Sequence, residues 1–382
     1  PVDDMDKSFF HYGGSSLSAV RMLRFANERF STALHVIDVF QSPTPARLAQ
    51  RFVQAREPAR TQPSSPSDPA IVDTWKQGDG RAPSLVFIAP PGAGGACYAA
   101  LMDELRDWSG ALCSVTLPLP LLRWWYDGPE PTIRSLCRLI AAALAEAGVE
   151  RIVVTSSVAA IAAGHPLGRT TPFTGEDWSL TEGEGVYAYS ESKTRAELEA
   201  WSLVEEAGRR DILATVHPSF VLGPLLSADP GGSSMIVRAL INGAAPLAPR
   251  FKLDLVDARD VAALHVKAMT APMAGGTRYL ISAGSIMLPD LVASLRGAFP
   301  ELSRRLPRLP APDWLFRLYG RFNPDFRANL DALHPSWPGY DASPAERLLG
   351  RAFISPRVAA LATAQSLLDL GIVQRPGRQK KD

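Results

Sequence analysis

Tyr189-Ser190-Glu191-Ser192-Lys193 spaces a phenol and an ammonium for moving a proton to or from a carbonyl oxygen. Positions four apart share one face of a helix, so Lys193 is expected beside Tyr189. A cation there favours the phenolate and lowers the tyrosine pKa from about 10 toward the working range. A tyrosine tuned in this way is a general acid/base. Such a pair also arises by chance, so its meaning depends on its surroundings. Upstream, Arg151-Ile-Val-Val-Thr155-Ser156-Ser157 reads as a continuous apolar strand ending in hydroxyls. That is the pattern of a buried parallel strand delivering polar groups at its C-terminal edge. Ser157 is the third partner in this reading, hydrogen-bonding a substrate carbonyl while Tyr189 donates the proton.

Other elements must hold this trio. Ile212-Leu-Ala-Thr-Val216 reads as a second buried strand. The loop His217-Pro218-Ser219-Phe220-Val221-Leu222-Gly223-Pro224 follows it, where a cofactor ring lies in a doubly wound sheet. Further on, Leu253-Asp-Leu-Val-Asp257-Ala-Arg259-Asp260-Val-Ala-Ala-Leu-His265 predicts a strand passing into a helix through an acidic cap.

As an ordered set, these segments resemble the extended short-chain dehydrogenase/reductases, most closely the dihydroflavonol-reductase-like and aldehyde-reductase-like branch. The matching motifs are Thr155-Ser156-Ser157, Tyr189-x-x-Ser192-Lys193, Pro218-x-x-Val221-x-Gly223-Pro224 and Val256-Asp257-x-Arg259-Asp260-Val261-Ala262. The resemblance runs from about Thr132 to about Val373. It implies reduction of a ketone or aldehyde with NADP or NAD, or the reverse oxidation. It also implies that Ser157 polarises the carbonyl, that Tyr189 is the proton donor, and that Lys193 tunes Tyr189 and holds the nicotinamide ribose. Pro218, Ser219 and Val221 fall where that family lines its nicotinamide pocket.

Such a reductase should begin with a strand and a glycine fingerprint that brings a pyrophosphate to a helix N-terminus. Ahead of Thr132 the only glycine-rich turn is Pro90-Pro91-Gly92-Ala93-Gly94-Gly95, between Leu85-Val-Phe-Ile-Ala89 and the helix-like Tyr98-Ala-Ala-Leu-Met-Asp-Glu-Leu105. Gly92, Gly94 and Gly95 are candidates for phosphate binding, but Cys97 stands where the third glycine of the fingerprint belongs. The same stretch, about Pro83 to Pro120, looks like the opening of an α/β-hydrolase thioesterase of the kind that closes nonribosomal peptide and polyketide synthases. No Gly-x-Ser-x-Gly nucleophile elbow occurs in the chain, which argues against serine acyl transfer.

Ser8-Phe9-Phe10-His11-Tyr12-Gly13-Gly14-Ser15-Ser16-Leu17, with the periodic Ala19, Val20, Leu23 and Phe30, resembles a peptidyl or acyl carrier protein. The likeness continues through Leu34-His-Val-Ile-Asp-Val-Phe40 and the Pro-Thr turn before Leu48 and Ala49. It implies 4'-phosphopantetheine on Ser16, at the start of a helix whose unpaired N–H groups accommodate the phosphodiester. A plain helix cap at Ser15 or Ser16 is the alternative. Since carriers open with a helix ahead of such a Phe-Phe pair, the expectation is a longer chain whose upstream part bears that helix and other synthetase modules.

The 382 residues have room for two or three domains, and with 46% hydrophobic residues they can bury a sizeable core. A formal charge of +1 leaves no footprint for nucleic acid. Cys97, Cys113 and Cys137 form no Cys-x-x-Cys pair, and the six histidines are scattered, so neither disulfides nor a metal site is expected. Neither a signal peptide nor a span of about 20 apolar residues is present, so a cytoplasmic protein without a membrane partner is expected.

The expected fold class is α/β: a small helical carrier domain, then an incomplete Rossmann-like doubly wound parallel sheet with a helical cap. The expected boundaries are 1–56 for the carrier, 57–82 for a flexible linker, 83–128 for the thioesterase-like fragment, 129–374 for the reductase-like region and 375–382 for a basic tail. Arg304, Arg305, Trp314 and Tyr319 in the cap are either packed or substrate-facing. Three functions stay open. One is a nicotinamide-dependent carbonyl reductase acting on a carrier-tethered acyl or peptidyl intermediate, or on a small carbonyl compound. The second is a cofactor-less mosaic of truncated domains, and the third is a carrier alone. Any role for Ser16 requires a phosphopantetheinyl transferase as partner.

Overall fold

The computed structural model describes residues 150–376, apart from 167, 183–187, 226–230, 313, 315–320 and 322–329. Before these it describes 22, 26, 29–30, 42, 44–55, 71–76, 85–88, 107, 109 and 111–116. Ser16, the glycine turn with Gly92, Gly94 and Gly95, and the junction around 129–132 lie outside the described residues. The chain divides into two compact units, Pro1–Leu139 and Ile140–Asp382.

In the first unit, helix α1 (Pro45–Ala55) starts where a proline can stand at the first helical position without losing a needed N–H. The Thr44 hydroxyl accepts from Arg47 N at 3.3 Å and the Thr44 carbonyl accepts from Leu48 N at 2.8 Å. Leu48 is buried, and the rings of Phe52 and Phe30 lie 5.7 Å apart. The strands β1 (Ile71–Lys76), β2 (Leu85–Ile88) and β3 (Leu112–Thr116) form a sheet in the order β1-β3-β2. Here β2 runs parallel to β3, and β1 antiparallel to it.

The second unit is built on β4 (Ile152–Thr155), β5 (Leu213–Pro218) and β9 (Thr277–Ile281), all parallel in the order β4-β5-β9. The central β5 is buried along its whole length, as its Leu-Ala-Thr-Val run requires of a strand covered on both faces. The upstream strand with terminal hydroxyls, the following buried strand and their parallel pairing thus match the sequence reading. Beside them, β6 (Phe220–Leu222) and β10 (Ser285–Met287) flank β8 (Lys252–Asp257), while β7 (Leu247–Pro249) pairs with β11 (Leu309–Ala311).

The acidic cap forms as anticipated. Asp257 ends β8, and its side chain accepts from Arg259 N to start α4 (Ala258–Thr270). The remaining helices are α2 (Ala188–Glu206), α3 (Gly231–Asn242), α5 (Leu288–Ala298), α6 (Ser343–Leu349) and α7 (Pro356–Asp369). Leu240 and Ile241 of α3, Leu291 and Leu295 of α5, and Leu367 of α7 close an aliphatic core with Leu253 and Leu255 of β8. The whole is an α/β architecture with an incomplete doubly wound sheet and a helical cap.

Candidate active site at the strand ends

The chain leaves β4 in an extended conformation, with Ser157 at φ −163° and ψ 155°. Successive side chains therefore point to opposite sides. Ser156 turns inward and is buried, while Ser157 is half-buried and caps a short 3-10 turn, Val158–Ala160, by accepting from Ala159 N at 3.2 Å. A hydroxyl that accepts still has its own proton to give, so Ser157 keeps the donor that carbonyl polarisation needs.

Helix α2 carries the two residues expected to act as acid and base. Tyr189 stands in its first turn, 49% exposed. One turn on, Lys193 Nζ donates to the Thr155 carbonyl at 3.2 Å, which brings the ammonium to the end of the strand that leads into Ser157. Burial lowers the Lys193 pKa from the ordinary ammonium range, and the Glu197 charge opposes that shift. Thr155 also meets His265, with Oγ1 and Nε2 at 2.8 Å. The Nδ1 of His265 faces the Val261 carbonyl at 2.8 Å, so Nδ1 donates and Nε2 accepts the Thr155 hydroxyl. Burial holds His265 below its usual pKa.

The inward face of α2 is Ser190, Thr194, Glu197, Trp201 and Val204, all buried and spaced by alternating fours and threes. At its centre the Glu197 carboxylate, 1% exposed, accepts from every side. Ser156 Oγ donates to Oε2 at 2.6 Å, and Oε1 receives Thr215 Oγ1 at 3.1 Å, Arg278 Nε at 2.7 Å and Trp201 Nε1 at 3.2 Å. His217 Nε2 lies 2.7 and 2.8 Å from the two oxygens, and its Nδ1 is 3.3 Å from the Tyr279 carbonyl. Although burial alone would raise the Glu197 pKa, the hydrogen bonds and charges of His217 and Arg278 hold the carboxyl far below the usual carboxylate range.

Arg278 is fixed in turn. Its guanidinium lies over the Trp178 ring at 3.6 Å, and Nη1 donates to the carbonyls of Gly175 at 2.7 Å and Asp177 at 2.6 Å. Gly175 also lets the backbone at Arg278 pass close by, since a Cβ there would stand 2.5 Å from the Arg278 carbonyl oxygen.

Of the residues expected to line a nicotinamide pocket, Pro218 ends β5 and is buried. The backbone N–H of Ser219 donates to Ile281 O at 3.1 Å, and its buried hydroxyl has no hydrogen-bond partner among the described residues. Val221, half-buried in β6, packs against the core formed by Val216 and Val256. Gly223 follows at φ +133°, a conformation open to glycine, and an added Cβ would lie 3.0 Å from Asp257 Oδ1. Thr363 of α7 buckles this loop: its Oγ1 accepts from Gly223 N at 2.7 Å, and its proton faces Gly223 O at 2.9 Å and Ala359 O at 3.1 Å. Ser366 Oγ accepts from Leu225 N at 3.1 Å. In the cap, Arg305 is engaged with Gln374 O at 2.6 Å and Trp314 is exposed, while Tyr319 lies outside the described residues.

Of the trio singled out from sequence, Lys193 reaches the carbonyl of Thr155, two residues before Ser157, and Tyr189 stands one turn before Lys193 on the same helix; Glu197 and Arg278 escaped that reading. The available signal was the four-residue step from Lys193 to Glu197 and again to Trp201. At the nicotinamide end, the residues fit such a cofactor. Ser219 is a buried hydroxyl awaiting a partner, and Lys193 commits one of its three N–H groups to Thr155.

Comparison with known proteins agrees with both ends of the chain. Residues 1–52 match the family described as phosphopantetheine attachment site, and residues 123–282 match the NAD dependent epimerase/dehydratase family. The chain is 32% identical over 175 residues to tetraketide alpha-pyrone reductase 2 of Arabidopsis thaliana, covering 45% of this chain and 54% of that protein. It is 31% identical over 192 residues to ketoreductase adrE of Penicillium rubens, covering 48% and 55%. The chain therefore spans about half the length of the curated relatives it matches.

Among solved structures, gox2253 superposes with a TM-score of 0.54 at 20% identity, covering 76% of this chain and 99% of that one. Gre2 from Candida albicans superposes at 0.53 and 18% identity, covering 76% and 100%. These likenesses show the fold. A carrier-type segment at the N-terminus is joined to a segment similar to NAD-dependent epimerases and short-chain reductases. Among the described residues, no helix is long and apolar enough to cross a membrane.

Proposed function

We propose that this chain is a cytoplasmic nicotinamide-dependent carbonyl reductase joined to a phosphopantetheine carrier. Its substrate class is a ketone within an acyl or peptidyl chain built in nonribosomal peptide or polyketide assembly. The observation that carries the reading is the contact of Lys193 Nζ with Thr155 O at 3.2 Å, which ties the Tyr189 helix to the strand end that leads into Ser157. In this reading Ser157 donates to the substrate carbonyl and Tyr189 gives it a proton. Lys193 favours the phenolate left behind and holds the nicotinamide ribose, with Pro218, Ser219 and Val221 beside the ring. NADPH or NADH, when bound, supplies the hydride. The relatives, a tetraketide alpha-pyrone reductase and a ketoreductase, support ketone reduction. Ser16 is the proposed arm-bearing residue, loaded by a phosphopantetheinyl transferase and supplied by upstream synthetase modules. The proposed boundaries are 1–56 for the carrier and 129–374 for the reductase; the flexible linker expected over 57–82 is shortened, because Ile71–Lys76 forms β1 and pairs with β3.

The test is binding followed by turnover. Purified protein should change NADPH fluorescence saturably and reduce a ketone, and Tyr189→Phe should abolish reduction while sparing binding. An active transferase should add one phosphopantetheine mass that disappears in Ser16→Ala. A protein that binds neither nicotinamide refutes the reductase reading.

One observation favours the second reading, a mosaic without a working cofactor site. A dinucleotide-binding half is a succession of parallel strands. In the first unit, however, β1 runs antiparallel to β3. That supports a first-unit sheet of other than dinucleotide-binding origin, with β1 contributed from ahead of 83–128, and with it the loss of phosphate binding at Gly92, Gly94 and Gly95.

A further inference from the structure

We infer that Glu197 is a positioning residue, whose carboxylate joins the helix bearing Tyr189 and Lys193 to the strand end bearing Ser157 and so sets the geometry between proton donor and polarising hydroxyl. Its catalytic meaning rests on the reductase reading, whereas its effect on Lys193 can be measured without it. The geometry is a three-point tie. Ser156, bonded to Glu197 at 2.6 Å, immediately precedes Ser157, and Glu197 stands one helical turn beyond Lys193 and two beyond Tyr189. The other donors come from different strands: Thr215 and His217 from β5 and Arg278 from β9. Rolling or sliding α2 would lengthen at least one of these bonds, because their donors converge from separate elements.

An aliphatic side chain could fill the same volume without desolvating a charge, and buried ion pairs are weak devices for stability alone. What the carboxylate adds is direction, since each lone pair selects a donor at one place and one angle. The charged and titratable groups packed around it are Lys193 on its own helix, His217 on β5 and Arg278 on β9. Its negative charge counters the effect of burial on the Lys193 ammonium, so the tie is electrostatic as well as mechanical.

The experiment uses the full chain with NADPH and ethyl acetoacetate as the probe ketone, together with a lysine side-chain NMR titration in which Lys193→Arg assigns the Lys193 signal. Glu197→Gln is expected to lower kcat by about tenfold or more with KM changed less than about twofold, the signature of an interaction made in the transition state. Loss of the negative charge moves the high-pH limb of the rate profile, and the Lys193 midpoint, to lower pH. Ser156→Ala is the milder variant, keeping the ion pairs. It should lower kcat rather than raise KM and displace the Lys193 midpoint, and Ser156→Thr should restore both.

A cooperatively folded Glu197→Gln protein with wild-type kcat, pH profile and Lys193 midpoint would overturn the inference. So would a loss of rate that only tracks the unfolded fraction. Should the wild-type chain reduce no ketone, the reductase reading fails while the titration still decides: because Ser156→Ala keeps the Glu197 charge, an unmoved Lys193 midpoint in that variant removes the positioning role, and a displaced one sustains it.

Discussion

Two buried regions of the second unit are assembled on opposite principles. The cap core gathers Leu240, Ile241, Leu255, Leu291, Leu295 and Leu367, whose contacts are apolar and carry no direction. The strand-end cluster gathers Ser156, Glu197, Thr215, His217 and Arg278, each held by a bond of definite angle. The first tolerates exchange of shape and the second does not, so the fold and the site are secured by separate means. The cap is held by volume, and the cluster by direction.

The sharpest test of that contrast is deletion of the hub. Glu197→Ala should cost about 3–5 kcal/mol, because it strands the buried Arg278 guanidinium without its counter-charge and leaves His217, Ser156 and Thr215 without their acceptor. Urea unfolding of the variant measures it, and a cost near zero would mean the cluster is solvated after all. Leu291→Ala in the cap should cost a comparable ~2–5 kcal/mol from cavity and transfer terms. Leu291→Met should recover all but about 1.5 kcal/mol, since volume-conserving apolar exchanges are accepted. By contrast, the near-isosteric Glu197→Gln should still be strongly destabilised, and equal recovery at both places would erase the distinction.

Thr363→Val keeps its shape but leaves the buried Gly223 N–H without an acceptor, at about 1–3 kcal/mol. It should slow chemistry as well, if the Pro218 to Gly223 loop lies beside the cofactor ring. The smallest effect is on pH dependence. Glu197 is held below its ordinary value of about 4.3 and His265 below about 6.5, so for both the folded state binds fewer protons than the unfolded chain. Their contributions are complete above the unfolded values and lost as pH falls toward the folded ones. The melting temperature should therefore decline from neutral pH downward, first through His265 and then through Glu197. A flat profile would show that neither the burial of His265 nor the hydrogen bonds and charges around Glu197 act as described.

What could be read from sequence was whatever rests on local pattern. The apolar run ending at Thr155 to Ser157, the second buried strand, the Asp257 cap and the Tyr189 to Lys193 spacing each lie within one element, and each is found where its pattern predicts. Glu197 was not legible because its partners stand far off in the chain: Ser156 by 41 positions, Thr215 by 18, His217 by 20 and Arg278 by 81. Its helix also buries Ser190, Thr194 and Glu197 where an ordinary amphipathic helix would bury aliphatics. A buried face that is largely polar looks like a surface until its partners are known.

The Thr363 buckle gives the molecule an order in time. It binds a loop to a helix 140 residues later, and Ser366 repeats the link across 141. A chain grows from its N-terminus at about 5–20 residues per second. The parallel strands and the Glu197 cluster can therefore assemble once Arg278 has emerged, yet the loop from Pro218 to Gly223 waits until Thr363 and Ser366 have been made. The part of the molecule expected to face the cofactor is completed after the Tyr189 helix is placed, and a nascent chain stalled before Thr363 would hold Tyr189 and Lys193 beside an unfastened loop.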